Sequence, residues 1–353
     1  MFNIILTILI APFMPIFMYG HFGSGPSLSW ATSDLEITRV SAKSVLGEST
    51  AKDENGLPAS DNQLVDSKLL SSGWPANVMY MPVETADFQD INIWSHESVV
   101  IDVDSGTILH YQNGRQHAQI ASLTKVMTAT LTLENVKDLD SIITITPAML
   151  NVEGTRVGCP TSVLCTSQEL VPGEKISVRS LLTAMLLDSA NDAATALGTY
   201  VGGTPKNFVT MMNAKAKSLG LQDTHFCTPS GLEIDGHEDE CYSSAYDLAR
   251  IAVYSLKYPL LWSMMRTQTA TVYSADNRIA HSCQNTDELL SEMPDVFGGK
   301  TGFTPLAGKS LMLGATDPTG KHRVVAVVLN DESFWSDMEK LVNWTFENYT
   351  WKK

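Results

Sequence analysis

Basic residues are scarce in this chain. Lys and Arg number 24 against 39 Asp and Glu over 353 residues, a formal net charge of -15. A phosphate backbone needs a basic face, and none is visible, so nucleic acid is excluded as a partner class. The acidity itself implies only a soluble, self-repelling surface. Cys-x-x-Cys pairs are missing, and no two histidines have helical metal-ligand spacing, so no metal and no cofactor are expected. His237-Glu238-Asp239-Glu240-Cys241 has ligand-type side chains, but its neighbours are polar and it reads as a solvated loop. No apolar run reaches the roughly 20 residues a membrane-spanning helix needs. No internal repeat is present.

What the chain does contain divides into three parts. Residues 1–31 open with a nearly unbroken apolar stretch from Ile4 to Tyr19, interrupted by Pro12 and Pro15 and followed by Gly20 and Pro26. This is too short to span a bilayer comfortably, and Ser29 and Ala31 are small residues suited to cleavage, so it reads as a secretory signal peptide. No Lys or Arg precedes the run, which keeps an uncleaved N-terminal anchor as the alternative. Residues 32–90 are rich in Ser, Ala, Asp and Glu with turn-forming breaks, and read as a polar linker with little fixed structure. Residues 91–353 carry the folded pattern. Hydrophobic residues make up 44% of the whole chain, enough for a substantial core.

Within the folded part, strands are expected at Val99–Val103 and Thr107–Tyr111, joined through Asp104-Ser105-Gly106. Helices are expected at Ala121–Glu134, Val178–Leu187, Asp192–Tyr200, Phe208–Leu219 and Ala245–Leu256. Strands return at Phe297–Phe303, Lys309–Gly314 and Arg323–Leu329, and a last amphipathic helix covers about Trp335–Asn348. Strands at both ends with helices between them predict an α+β fold: one sheet built from distant segments, plus a helical subdomain.

Three short motifs point to acyl-transfer chemistry. Ser122-Leu123-Thr124-Lys125 opens an apolar helix, so the lysine amine lies one turn from the hydroxyl, on the same face. A serine hydroxyl becomes nucleophilic only when a base takes its proton, and a lysine can be that base if burial or a second cation depresses its pKa. Ser189-Ala190-Asn191 sits at a corner between two helices and can present a hydroxyl and an amide into a cleft. Gly298-Gly299-Lys300-Thr301-Gly302 is strand-like but rich in glycine, as expected where another backbone must lie close. Lys300 can supply the second cation. Ser49-Thr50-Ala51-Lys52 and Ser60-Asp61-Asn62 match the same short patterns, but both lie in the linker without apolar periodicity and read as chance matches. Five cysteines are present, which export would allow to pair. Cys159 and Cys165 bracket a short loop and are expected to bond to each other; Cys227 and Cys241 bracket another.

The ordered triplet resembles the active-site serine penicillin-recognising enzymes. Ala121-Ser122-Leu123-Thr124-Lys125-Val126-Met127-Thr128, Ser189-Ala190-Asn191-Asp192-Ala193-Ala194, Pro229-Ser230-Gly231-Leu232, Tyr246-Asp247-Leu248-Ala249-Arg250 and Gly299-Lys300-Thr301-Gly302-Phe303-Thr304 are similar to the low-molecular-weight D-alanyl-D-alanine carboxypeptidases. The resemblance implies a transpeptidase/β-lactamase-like fold, with an antiparallel sheet flanked by helices and an all-helical subdomain. It implies Ser122 as nucleophile, Lys125 as base, Ser189 as proton relay and Asn191 as a substrate-backbone holder. Lys300, Thr301, Gly302 and Phe303 would bind the substrate, Lys300 and Thr301 at its terminal carboxylate, and the N–H groups of Ser122 and Phe303 would form an oxyanion hole. Peptidoglycan stem peptides would be the substrates and β-lactams the acylating inhibitors, outside the cytoplasm, with membrane contact only through the N-terminal segment. A DD-endopeptidase using the same residues is the alternative; a β-lactamase lacks its deacylating Glu-x-x-Leu-Asn segment here, and intact motifs argue against a non-catalytic homologue. Two departures stand out. The chain ends at Lys353, too soon after Gly302 for the further β-rich domain and amphipathic anchor many relatives carry. Asn151–Ser167 looks longer than usual, with no evident role.

Overall fold

The segment expected as a strand at Arg323–Leu329 is apolar at every position after the first, which is the pattern of a strand buried on both faces. In the computed structural model, which describes residues 80–161 and 165–353, it is the central strand of a five-stranded sheet. The strands are β1 (Met81–Glu84), β2 (Glu97–Asp102), β3 (Ile108–Gln112), β4 (Ile142–Thr144), β5 (Lys175–Ser177) and β6 (Thr269–Tyr273). They continue with β7 (Ala280–Gln284), β8 (Val296–Thr304), β9 (Gly308–Thr316), β10 (Arg323–Leu329) and β11 (Tyr349–Lys352). The longer helices are α1 (Lys125–Asn135), α2 (Val178–Leu187), α3 (Asn191–Gly202), α4 (Pro205–Ser218), α5 (Ala245–Ser255), α6 (Pro259–Arg266) and α7 (Phe334–Asn348).

The large sheet is antiparallel, in the order β3–β2–β10–β9–β8. Side chains alternate across it. Val325, Val327 and Leu329 join the core under the helical region, with Leu123, Val126, Leu182, Ala194 and Leu248. Val324, Ala326 and Val328 face the other way, onto Met338, Leu341 and Val342 of α7. The architecture is therefore the expected α+β one, a sheet covered on both faces, with helices α1–α6 forming the helical part.

Three differences from the sequence reading matter. First, β1 pairs antiparallel with β11, and Phe88 and Gln89 contact Trp344, so structured chain is already present at Met81. The boundary drawn between residues 90 and 91 is too late, because a four-residue strand paired across the whole chain leaves no local pattern. Second, the helix expected from Ala121 begins as a 3-10 turn over Ala121–Thr124, and the α-helix starts at Lys125. Third, α6 and the β6–β7 hairpin fill a stretch to which the sequence reading assigned no element. Residues 1–79, with the apolar N-terminus and the two linker motifs at Ser49 and Ser60, lie outside the described residues.

Candidate active site

The 3-10 turn sets the position of Ser122. Ala121 takes a left-handed φ of 45° and is buried with Leu123, which leaves Ser122 at the surface of the cleft. Beneath the turn runs Pro229-Ser230-Gly231-Leu232. A Cβ on Gly231, whose φ is 88°, would stand 1.8 Å from the Ala121 carbonyl oxygen, so only glycine lets the two backbones meet.

Lys125 is fully buried, and its Nζ has three neighbours: Ser122 Oγ at 2.6 Å, Asn191 Oδ1 at 2.7 Å and the Ser230 carbonyl at 2.9 Å. The last two can only accept. A neutral amine that donates to both turns its lone pair toward the Ser122 hydroxyl, which is the arrangement a general base requires. Burial, and then the Lys300 cation, push the Lys125 pKa well below the usual lysine range, against the pull of Asp192.

Ser189 lies between α2 and α3 in a left-handed conformation, with φ of 57°. The Lys300 ammonium, also buried, donates to Ser189 Oγ and to the Thr301 carbonyl, both at 3.0 Å. Burial lowers the Lys300 pKa to about 7, opposed by the carboxylates of Asp287 and Asp188. Lys300 and Thr301 lie on β8, the edge strand. A Cβ on Gly302 would lie 3.0 Å from the Ile120 carbonyl, so the strand and the Ser122 turn are in near contact there. Phe303 is 63% exposed at the rim. The structure thus brings Ser122, Lys125, Ser189, Asn191, Lys300, Thr301 and Gly302 to one place, with Phe303 beside it.

Within the segment Asn151–Ser167, where the sequence shows no evident role, residues 153–158 brace this cleft. Thr155 Oγ1 donates to the Ser189 carbonyl (2.6 Å), and the Thr155 carbonyl accepts from the Asn191 N–H (2.9 Å). Asn191 Nδ2 donates to the Glu153 carbonyl (2.7 Å), which orients the amide so that its oxygen meets Lys125. Asp192 and Asp188 in turn accept from the N–H groups of Val157 and Gly158. Asp188 and Asp192 adjoin the Ser189-Ala190-Asn191 motif, yet nothing local distinguishes them from ordinary capping residues. Cys159 and Cys165 are bonded, as expected, and Cys227 bonds Cys241. Cys283 is a buried free thiol, its pKa raised by burial and by Asp188. The acidic run at His237 is an exposed turn, with its cysteine engaged in the second disulfide.

This sheet-and-helix frame is that of the serine DD-peptidases. A crystal structure of D-alanyl-D-alanine carboxypeptidase from Mycobacterium tuberculosis H37Rv superposes with a TM-score of 0.65 at 30% identity, over 75% of this chain and 96% of that one. The family model for D-alanyl-D-alanine carboxypeptidase matches residues 83–333, and the chain belongs to that family. D-alanyl-D-alanine carboxypeptidase DacF of Bacillus subtilis is 32% identical over 267 residues, 72% of this chain; the match spans 64% of the relative's length. A D-alanyl-D-alanine endopeptidase of Pseudomonas aeruginosa is 30% identical over 252 residues, 71% of this chain and 76% of the relative.

Proposed function

We propose that this chain is a serine D-alanyl-D-alanine carboxypeptidase that removes the terminal D-alanine from peptidoglycan stem peptides outside the cytoplasm. The observation that carries the reading is the fully buried Lys125 amine 2.6 Å from Ser122 Oγ, with both its donor positions satisfied elsewhere. The peptide lies along the outer edge of β8, and its carboxylate meets Lys300 and Thr301. Lys125 takes the Ser122 proton as Oγ attacks the penultimate D-Ala carbonyl, and the N–H groups of Ser122 and Phe303 hold the oxyanion. Ser189 relays the proton taken up by Lys125 to the leaving D-Ala amine, Lys300 staying charged throughout, while Asn191 holds the substrate backbone. Water then releases the shortened peptide. A β-lactam offers a carbonyl and a carboxylate in the same relation and acylates Ser122. The apolar run at Ile4–Tyr19 directs export, as a cleaved signal or an uncleaved anchor; no helix among the described residues is long and apolar enough to cross a membrane.

The test is direct. Diacetyl-Lys-D-Ala-D-Ala should yield the dipeptide and free D-Ala, whereas the L-Ala-terminated analogue should be inert. A fluorescent penicillin should label the wild type, and Ser122→Ala should abolish labelling. Penicillin binding without D-Ala release, but with cleavage of cross-linked muropeptides, would replace this reading by the endopeptidase one that the Pseudomonas aeruginosa relative's name suggests.

A further inference from the structure

The two polar groups of the proposed carboxylate clamp leave β8 from opposite sides. Lys300 and Thr301 are consecutive, so their side chains start on opposite faces of the strand. The Lys300 ammonium turns back to the Thr301 carbonyl, at 3.0 Å, and so lies level with the strand's backbone. The Thr301 hydroxyl stands on the face shared with Gly299. The segment after β7 covers that face: a Cβ on Gly299 would collide with Asp287 Oδ2. From the same segment the Thr286 hydroxyl meets that of Thr301, oxygen to oxygen at 2.5 Å. Among the described residues neither hydroxyl has another hydrogen-bond partner.

Thr286 is held in place from both sides. Asn285 Nδ2 donates to the carbonyls of Met265 and Thr267, both at 2.9 Å, which ties the segment to the C-terminal end of α6. Asn285 Oδ1 accepts from the Asp287 N–H at 3.0 Å, a bond that spans Thr286. Asp287 Oδ1 accepts in turn from the Leu289 N–H at 3.1 Å. Two such side-chain-to-backbone turns in succession fix the chain on which Thr286 stands. Both threonines are half-buried, so the pair is not sealed into the core.

A carboxylate has no proton and can only accept. When Thr301 donates to it, the Thr301 proton is committed and its oxygen lone pairs are left to accept. The Thr286 hydroxyl then acts as donor to Thr301, and bonds in such a chain reinforce one another. We propose that Thr286 is a positioning residue for this reaction: its hydroxyl, 2.5 Å from Thr301 Oγ1, directs the Thr301 proton to the carboxylate of an incoming peptide or β-lactam. The inference rests on the carboxylate-clamp reading of Thr301. Because Thr286 acts through that carboxylate, its loss falls on ligands that carry one.

The experiment measures second-order acylation constants for benzylpenicillin and for its methyl ester, in which the carboxylate is masked. The proteins are wild type, Thr286→Val, Thr286→Ser, Thr301→Val and the double valine variant. Valine keeps the shape of threonine and removes the hydroxyl. Thr286→Val should be acylated about tenfold more slowly by benzylpenicillin, and within about twofold of wild type by the ester. Thr286→Ser, which keeps the hydroxyl, should stay within about threefold of wild type. Adding Thr286→Val to Thr301→Val should cost less than about twofold, since the group it orients is gone. Thr286→Ala, equally without a hydroxyl, carries the same expectations should the valine variant not fold. Wild-type benzylpenicillin acylation in Thr286→Val overturns the proposal. So does an equal loss for acid and ester, the mark of a purely structural role, and so do losses that multiply in the double variant. Each of these outcomes leaves the function reading standing, whereas a wild type that is never acylated overturns that reading and this inference with it.

Discussion

In the proposed reaction the two buried lysines of this cleft do opposite work. Lys125 must be neutral to take a proton and Lys300 must be charged to hold an anion. Their surroundings differ accordingly. The second influence on Lys125, after burial, is the Lys300 cation, whereas the second on Lys300 is the Asp287 carboxylate. The same desolvation thus yields a base in one place and, with carboxylates nearby, a cation in the other. Lys125→Met retains the buried aliphatic volume and removes the base. Acylation by penicillin should fall by about 10²–10⁴-fold with the circular dichroism spectrum unchanged. Retention of more than about a tenth of the wild-type rate in that variant would assign the base elsewhere.

At the scale of elements, the site depends on pieces that differ in how plainly they are written. The central strands and α1, α2, α3 and α5 are legible because a strand buried on both faces or a helix with an apolar face repeats its pattern locally. The three motifs are legible because two stand at the ends of such helices and the third lies within such a strand. The brace at residues 153–161 and 165–167 is not, because it holds the cleft mainly through backbone groups that carry no sequence signature, the carbonyls of Glu153 and Thr155 and the N–H groups of Val157 and Gly158, with the Thr155 hydroxyl as the exception. Only its cysteines show. Their bond closes the loop directly after Gly158, whose N–H is held by Asp188, and Thr166 and Ser167 then dock on Ser282 of β7. Replacing Cys159 and Cys165 together by serine releases a loop of this length and should cost about 2 kcal/mol of stability. It should also slow acylation severalfold, since the corner bearing Ser189 and Asn191 loses part of its support. Unfolding without reductant should expose a single reactive thiol, that of Cys283. If urea midpoints and acylation rates of the double variant match the wild type, the brace is held by its hydrogen bonds alone.

For the molecule as a whole, the order β3–β2–β10–β9–β8 separates two tasks. In the proposed reaction the β8 edge receives the substrate. The far edge carries the closure of the fold, where β11 comes back to β1 and to the ends of β2 and β3. Trp351 Nε1 donates to Asp102 Oδ1 at 2.7 Å, and its ring stacks on His322 with centroids 4.7 Å apart. The Tyr349 hydroxyl donates to the Leu109 carbonyl at 2.9 Å. Asp102 is buried at the end of β2, and its other oxygen is taken by Ser105, so Trp351 supplies half of what makes that carboxylate tolerable. None of this touches Ser122 or Lys300. Trp351→Ala should therefore separate stability from catalysis. Losing a half-buried indole and one hydrogen bond to a buried carboxylate should lower unfolding free energy by about 2–3 kcal/mol, seen as a lower urea midpoint. The penicillin acylation constant of the still-folded variant at 25 °C should remain within about twofold of wild type, because the sheet between the two edges is a packed core that keeps its arrangement until it unfolds. A folded Trp351→Ala protein with acylation reduced tenfold or more would show instead that strain at the β2–β3 edge reaches β8 through the sheet.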